Sequence, residues 1–86
     1  MLFANKSDGF TSNGINTAAD SWHVLISGDD PGTVEIEIER EDQTFVSYPE
    51  LRFAGNGAHI VTLPDCLFRI KVTDGGDEGT TVEIRK

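Results

Sequence analysis

Residues 33 to 39 read Thr-Val-Glu-Ile-Glu-Ile-Glu, so that aliphatic side chains alternate with carboxylates along seven residues. Because successive side chains of a β-strand point to opposite faces, this pattern predicts a strand with one buried face and one face in water. A helix would instead scatter the three glutamates around its axis. The same alternation recurs in residues 22–26, 68–73 and 82–85, and it predicts a chain built from half-buried strands.

Two further strands are predicted at 44–53, with an interruption at Pro49, and at 58–63. Segments typical of turns separate the strands, among them Gly-Asp-Asp-Pro-Gly at 28–32 and Gly-Asn-Gly at 55–57. Short strands spaced by turns, with no helical period between them, predict an all-β fold. We expect a single small antiparallel β-sandwich or jelly-roll-like barrel. Its predicted core consists of Trp22, Val24, Ile26, Val34, Ile36, Ile38, Phe45, Leu51, Phe53, Val61, Leu63, Phe68, Ile70, Val72, Val82 and Ile84.

A chain of 86 residues is long enough for one domain and buries a small fraction of its surface. Its one cysteine excludes an internal disulfide, so association with further chains is a plausible source of stability. We expect the sandwich to occupy residues 21–86. Residues 1–20 have no clear period and are expected to form either a flexible leader or an arm that orders against a neighbour. The arm is favoured because the segment carries large apolar side chains, namely Leu2, Phe3, Phe10 and Ile15.

The net charge of −8 argues against nucleic acid and anionic membranes as partners. A basic protein surface or a cation suits such a chain better, although the charge can equally serve solubility. The first residues lack the apolar run of a secretory signal, and no stretch has the length of a membrane span. We therefore expect synthesis in a cytoplasm.

Catalytic and metal-binding motifs are missing from the sequence. His23, His59 and Cys66 have no spacing typical of nucleophilic catalysis or of a transition-metal site. No enzyme activity and no cofactor are expected, and Cys66 is interpreted as a small buried or interface residue. Two acidic loops, Asp29 with Asp30 and residues 74–78, offer oxygen ligands for calcium, but solvated turns explain them better.

The apolar residues of the N-terminal segment, Leu2, Phe3, Phe10 and Ile15, are candidate partner-binding residues, and two sets of outward-facing residues are further candidates. The acidic stripe, Glu35 with Glu37 and Glu39, is either a docking face for a basic partner or a row paired to basic side chains on neighbouring strands. The second set consists of apolar residues on predicted water-facing positions, which subunit contacts or a second packed layer would explain. They are Leu25, Val46, Tyr48 and Leu67.

The order of motifs along residues 21–86 resembles a known class of proteins. The segments are SWHVLISG, GTVEIEI, PELRF, GNGAHIVTLP, FRIKVTDG and TTVEIRK. This order resembles the small β-sandwich accessory proteins of tailed bacteriophages. The resemblance implies a non-enzymatic virion component on the capsid surface, made in the host cytoplasm, that decorates or cements the head. The implied partners are the major capsid protein and copies of the chain itself, as a dimer or trimer.

Two alternatives remain open at this point. One is a module of a tail or fibre that binds a host surface glycan through Trp22 or Tyr48, and the other is a small hydrolase. The chain departs from the resembled proteins in its acidic run from Glu35 to Asp42. It is too short for a fibre shaft, which favours the capsid.

Overall fold

The fold was analysed in a computed structural model, which describes residues 1–28, 32–73 and 79–86. These residues contain eight strands and no helix. The strands are β1 (Leu2–Lys6), β2 (Ile15–Thr17), β3 (Asp20–Ser27), β4 (Thr33–Glu39), β5 (Phe45–Ala54), β6 (Gly57–Leu63), β7 (Cys66–Thr73) and β8 (Thr80–Arg85).

The strands form two antiparallel four-stranded sheets. The first sheet has the order β1-β8-β3-β6, and the second has the order β2-β7-β4-β5. This pair of strand orders is that of an eight-stranded jelly roll, in which the chain passes repeatedly from one sheet to the other. The predicted all-β fold, a small antiparallel sandwich with jelly-roll character, is therefore confirmed.

The core lies between the sheets and is built from alternate residues of the long strands. Trp22 of β3 and Phe68 of β7 meet edge to face across it, with ring centroids 6.1 Å apart. The indole Nε1 of Trp22 donates a hydrogen bond of 3.0 Å to Thr17 Oγ1, so the one polar atom of this side chain is satisfied. The buried apolar residues are Trp22, Val24, Ile26, Val34, Ile36, Leu51, Val61, Leu63, Phe68, Ile70, Val72, Val82 and Ile84. All of them belong to the predicted core.

The N-terminal segment is part of the sandwich. Phe3 of β1 lies opposite Val82 of β8, and Ile15 of β2 lies opposite Phe68 of β7. The expected boundary at residue 20 therefore does not separate an arm from the sandwich. The physical reason is that Phe3, Phe10 and Ile15 pack against the chain's own core, whereas Leu2 remains 63% exposed.

An irregularity in β5 changes which side chains of this strand face the core. Arg52 lies opposite Glu35, and Ser47 lies opposite Glu37, so that five steps along β5 span two steps along β4. Three extra residues form a bulge in β5 that contains Pro49, a residue that cannot donate a ladder hydrogen bond. Because this excess is odd, the alternation of faces reverses across the bulge.

The reversal corrects two sequence predictions. Phe45 was expected in the core, but it lies opposite Glu39 on the outer face, where the Arg69 guanidinium stands 4.2 Å from its ring centroid. Val46 was expected on the outer face, but it lies opposite Ile38 and is half-buried. A subunit contact through Val46 is therefore not needed to explain its apolar side chain.

Candidate interaction surfaces

An open groove of about 390 Å³ lies where the N-terminal segment passes from the first sheet to the second. We call it the N-terminal groove. It is lined by Met1, Phe3, Phe10, Thr11, Ser12, Asn13 and Ile15. Three of the predicted partner-binding residues, Phe3, Phe10 and Ile15, are thus brought together in one place.

Hydrogen bonds to β7 hold the segment that lines this groove. Ser12 N donates to Ile70 O at 2.8 Å, while Ile70 N donates to Ser12 Oγ at 2.9 Å. Val72 N donates to Phe10 O at 2.9 Å, so the segment between β1 and β2 runs along the edge of β7. The rings of Phe3 and Phe10 meet at a centroid distance of 5.8 Å. The groove is therefore held by regular pairing and by aromatic packing.

The lining of the N-terminal groove is uncharged apart from the chain's own terminus. The terminal amine of Met1 donates a hydrogen bond of 2.9 Å to Ile84 O, and the Lys6 ammonium stands 4.6 Å from the ring centroid of Phe10. No carboxylate is among the lining residues, although the chain carries 15 acidic side chains. Such a surface suits an apolar segment of a partner protein.

The outer face of the first sheet mixes apolar and charged side chains. Leu25 of β3 lies between Glu83 of β8 and Ala58 of β6, and Leu2 of β1 continues the same row beyond Glu83. The side chain of Leu2 is 63% exposed. This arrangement places two predicted partner-binding residues, Leu2 and Leu25, on one face.

Ile60 of β6 is the most exposed large apolar residue that the structure describes, at 71%. It lies opposite His23, on the same outer face as Leu25. The candidate sites predicted from the sequence did not include Ile60. The sequence could have indicated it, because Val61 and Leu63 were predicted to face the core and strand alternation then places Ile60 on the outer face. The structure buries Val61 and Leu63.

Two of the three glutamates of the acidic stripe form ion pairs with arginines on neighbouring strands. The Arg69 guanidinium lies 2.6 Å from Glu37 Oε1, and Glu37 itself is only 7% exposed. Glu35 Oε1 accepts a contact of 3.0 Å from Arg52 and lies opposite Lys71 in the ladder. These contacts favour the interpretation that the stripe is paired within the sheet.

The last residue of the stripe, Glu39, is half-buried and lies opposite Phe45.

Leu67, another predicted partner-binding residue, is half-buried opposite Asn16. A Cβ atom placed on Gly14 would lie 3.0 Å from Leu67 Cδ2. The N-terminal segment of the same chain therefore covers Leu67.

A smaller groove of about 330 Å³ surrounds Tyr48, whose side chain is 37% exposed. It is lined by Ile38, Tyr48, Glu50, Leu51, Thr62 and Pro64. An aromatic ring beside a carboxylate and a hydroxyl is a combination suited to a sugar. Trp22, the other aromatic residue considered for this role, is buried in the core at 9% exposure.

The two histidines and the cysteine have separate surroundings. His23 lies on the outer face of the first sheet, and His59 stacks on Phe53 at a centroid distance of 4.2 Å. Cys66 lies opposite Thr17, where burial and the neighbouring Asp65 carboxylate raise the pKa of its thiol. A raised pKa lowers the fraction of reactive thiolate at neutral pH.

Among residues 1–28, 32–73 and 79–86, no group of three or more His, Cys, Asp or Glu side chains is arranged to hold a metal ion. The two acidic loops considered for calcium, at 29–30 and 74–78, lie outside the described residues. Within the same described part of the chain, no helix has the length and apolar character needed to cross a membrane.

Comparison with protein-family models, with curated proteins and with solved structures finds no match to this chain.

Proposed function

We propose that this chain is a non-enzymatic structural protein of a virion, which decorates or cements a bacteriophage head by bridging coat-protein subunits. Its work in this role is mechanical. Binding to the assembled shell buries apolar surface of both partners, and mass action then stabilises the bound state of each. The proposal goes beyond the fold, because a fold alone does not define a function.

Two general considerations support a structural role. The eight-stranded jelly roll is an architecture used by viral capsid and lectin domains, which makes both classes reasonable candidates. The motif order of residues 21–86 resembles phage accessory proteins, as described above.

The observation that carries the proposal is the concentration of exposed apolar surface at the N-terminal end of the chain. Met1 is 51% exposed and Leu2 is 63% exposed, and the adjacent N-terminal groove contains no carboxylate. In a chain with a net charge of −8, a groove without carboxylates beside exposed apolar side chains is suited to contact another protein.

Co-sedimentation with expanded coat-protein shells tests this function. The purified chain is mixed with shells of the phage that encodes it and centrifuged, and the bound fraction is measured at several concentrations. Saturable binding at a fixed ratio of chain to coat subunit is expected. If the folded chain stays in the supernatant at all concentrations, the cementing role is excluded.

A matched pair of variants identifies the surface used. Asn13→Glu places a carboxylate in the N-terminal groove, and Asn16→Glu makes the same change at an exposed position outside it. We expect Asn13→Glu to weaken shell binding at least about tenfold, because a buried unpaired charge is costly at an interface. Asn16→Glu should bind like the wild type. Equal binding by both variants would exclude the N-terminal groove as the contact.

A second candidate function is glycan binding by a tail or fibre module, and the groove around Tyr48 is the observation that favours it. Sugars commonly stack on exposed aromatic rings while carboxylates accept their hydroxyl hydrogen bonds. Binding on a glycan array that is lost in both Tyr48→Ala and Glu50→Gln would support this function. Binding to shells without binding to any glycan would favour the capsid role.

A further inference from the structure

The two sheets have four edge strands, and three of them are poorly suited to pairing with another chain. β2 has only three residues, and β5 contains Pro49 within its bulge. In β1 the register shifts between Phe3 and Lys6, and Asn5 has a φ of 54°, which disrupts an extended edge. Short length, proline and bulges are the features that protect edge strands from adding a further strand.

The fourth edge strand, β6, has none of these protections. Its sequence, Gly-Ala-His-Ile-Val-Thr-Leu, contains no carboxylate, lysine, arginine or proline. It pairs with β3 through seven consecutive residues, from Asp20↔Leu63 to Ile26↔Gly57, without a register shift. β6 is therefore a regular strand with a straight free edge.

The free edge of β6 is open in the isolated chain. Within the described ranges, residues 57–63 make no backbone hydrogen bond outside the β3 ladder. An antiparallel strand that leaves half of its backbone donors and acceptors to solvent is a template for another strand. The exposed side chain of Ile60 stands at the centre of this strand.

We infer that β6 pairs with β6 of a second copy of this chain, antiparallel about a two-fold axis at Ile60. Gly57 and Leu63 are equally distant from Ile60, so a pairing centred there aligns the two strands over their full length. In this register Ile60 faces its own copy and Ala58 faces Thr62, which gives small or β-branched pairs on the outer face.

The absence of charged side chains on β6 makes this edge suitable for contact with a second copy. Two molecules with a net charge of −8 repel each other, so self-association needs a contact where no carboxylates meet. The pairing of β6 with β6 places no acidic or basic side chain opposite another. The remaining repulsion between the molecules is screened by salt, so the dimer is expected to strengthen as ionic strength rises.

The dimer joins the two first sheets into one sheet of eight strands, with a β1 strand at each end. At about 4.8 Å per strand, the two β1 strands lie roughly 34 Å apart. The two N-terminal grooves then face separate neighbours. This consequence, two shell contacts on one dimer, rests on the proposed function, whereas the dimer itself does not.

Sedimentation equilibrium of the full chain tests the inference. The wild type is expected to be a dimer that dissociates on dilution. Ile60→Lys should shift the dissociation constant at least about tenfold towards monomer, because it places two ammonium groups opposite each other. Leu2→Lys is the matched control, since it makes the same charge change at a residue that is also exposed on the outer face of the first sheet. It should dimerise like the wild type.

Disulfide trapping tests the register. In a Cys66→Ser background, Ile60→Cys should cross-link rapidly on mild oxidation, because residues directly opposite in antiparallel strands have Cα atoms at disulfide distance. Leu2→Cys in the same background should cross-link slowly. A wild type that is monomeric at all concentrations and salt levels, or equal cross-linking by both cysteines, would overturn the inference.

These results are independent of shell binding. A monomeric wild type that nevertheless co-sediments with shells would exclude the β6 dimer and keep the proposed function. In that case Ile60→Lys would show whether β6 adds to a coat-protein strand instead. A dimer that fails to bind shells would keep the inference and exclude the cementing role.

Discussion

His59 of the first sheet stacks on Phe53 of the second, with ring centroids 4.2 Å apart and ring planes inclined by 21°. The two residues flank the turn in which the chain passes from β5 to β6, and Phe53 packs against the core. The rings of Phe3 and Phe10 meet at 5.8 Å where the chain passes from β1 towards β2. An aromatic pair thus stands at each of these two crossings between the sheets.

The stack of His59 on Phe53 is expected to contribute to stability beyond the burial of either ring. Phe53→Ala should lower the free energy of unfolding by about 2–3 kcal/mol, since it removes a large, partly buried side chain. A double-mutant cycle with His59→Ala should give a coupling of about 1 kcal/mol, the size typical of aromatic pairs. Urea denaturation measures all four proteins. The same cycle with Phe45→Ala in place of Phe53→Ala should give no coupling, and equal coupling in both would contradict the assignment.

The two ion pairs of the second sheet should differ in their importance. The Arg69 and Glu37 side chains are 32% and 10% exposed, whereas those of Arg52 and Glu35 are 48% and 16% exposed. Arg69→Met should lower the free energy of unfolding by about 2 kcal/mol, because it leaves the Glu37 carboxylate buried without its partner. Arg52→Met should cost less than about 1 kcal/mol. Denaturant unfolding compares them, and equal losses would contradict this ranking.

Gly28 stands where the chain has no room for a side chain. A Cβ atom at this position would lie 1.6 Å from the carbonyl oxygen of Gly79, and the φ angle of Gly28 is 155°. Gly55, with a φ of 77°, has open space within 4 Å of the point that a Cβ atom would occupy, so it serves as a control for backbone strain alone. Gly55→Ala should cost about 1 kcal/mol. Gly28→Ala should cost clearly more in thermal unfolding, and a smaller loss would contradict the steric conflict.

The thiol of Cys66 should make stability depend on alkaline pH. Burial, together with the Asp65 carboxylate, raises its pKa, so the folded chain holds this proton more tightly than the unfolded chain does. The resulting stability is complete below about pH 9.0, the ordinary pKa of the thiol, and is lost as pH rises through the folded pKa. Cys66→Ala lacks this component. The difference in unfolding free energy between wild type and variant should therefore shrink in that window, and a pH-independent difference would contradict the shift.

Two-residue periodicity was sufficient to predict β3, β4, β7 and β8, and most of the predicted core residues are buried. The pattern around Val34 and Ile36 on β4, and around Ile70 and Val72 on β7, corresponds to side chains that are fully buried. Strict alternation works here because these strands lie in the interior of a sheet with one face on the core.

The sequence did not reveal the features that depend on contacts between distant segments. β1 and β2 are short edge strands whose apolar residues follow no period, so their pairing with β8 and β7 had no local signal. The face taken by Phe45 and Val46 depends on the three-residue bulge of β5, and Pro49 marks its place but not its size. The N-terminal groove likewise exists only because residues 10–15 run along β7.

Calorimetry of expanded coat-protein shells, with and without the purified chain, tests the central claim most directly. A cementing protein that binds the assembled shell raises the temperature of shell disassembly, and the rise saturates once every site is filled. We expect such a saturable rise with the wild type and a smaller one with Asn13→Glu. A shell transition that stays at the same temperature, while circular dichroism shows the added chain to be folded, would contradict the account.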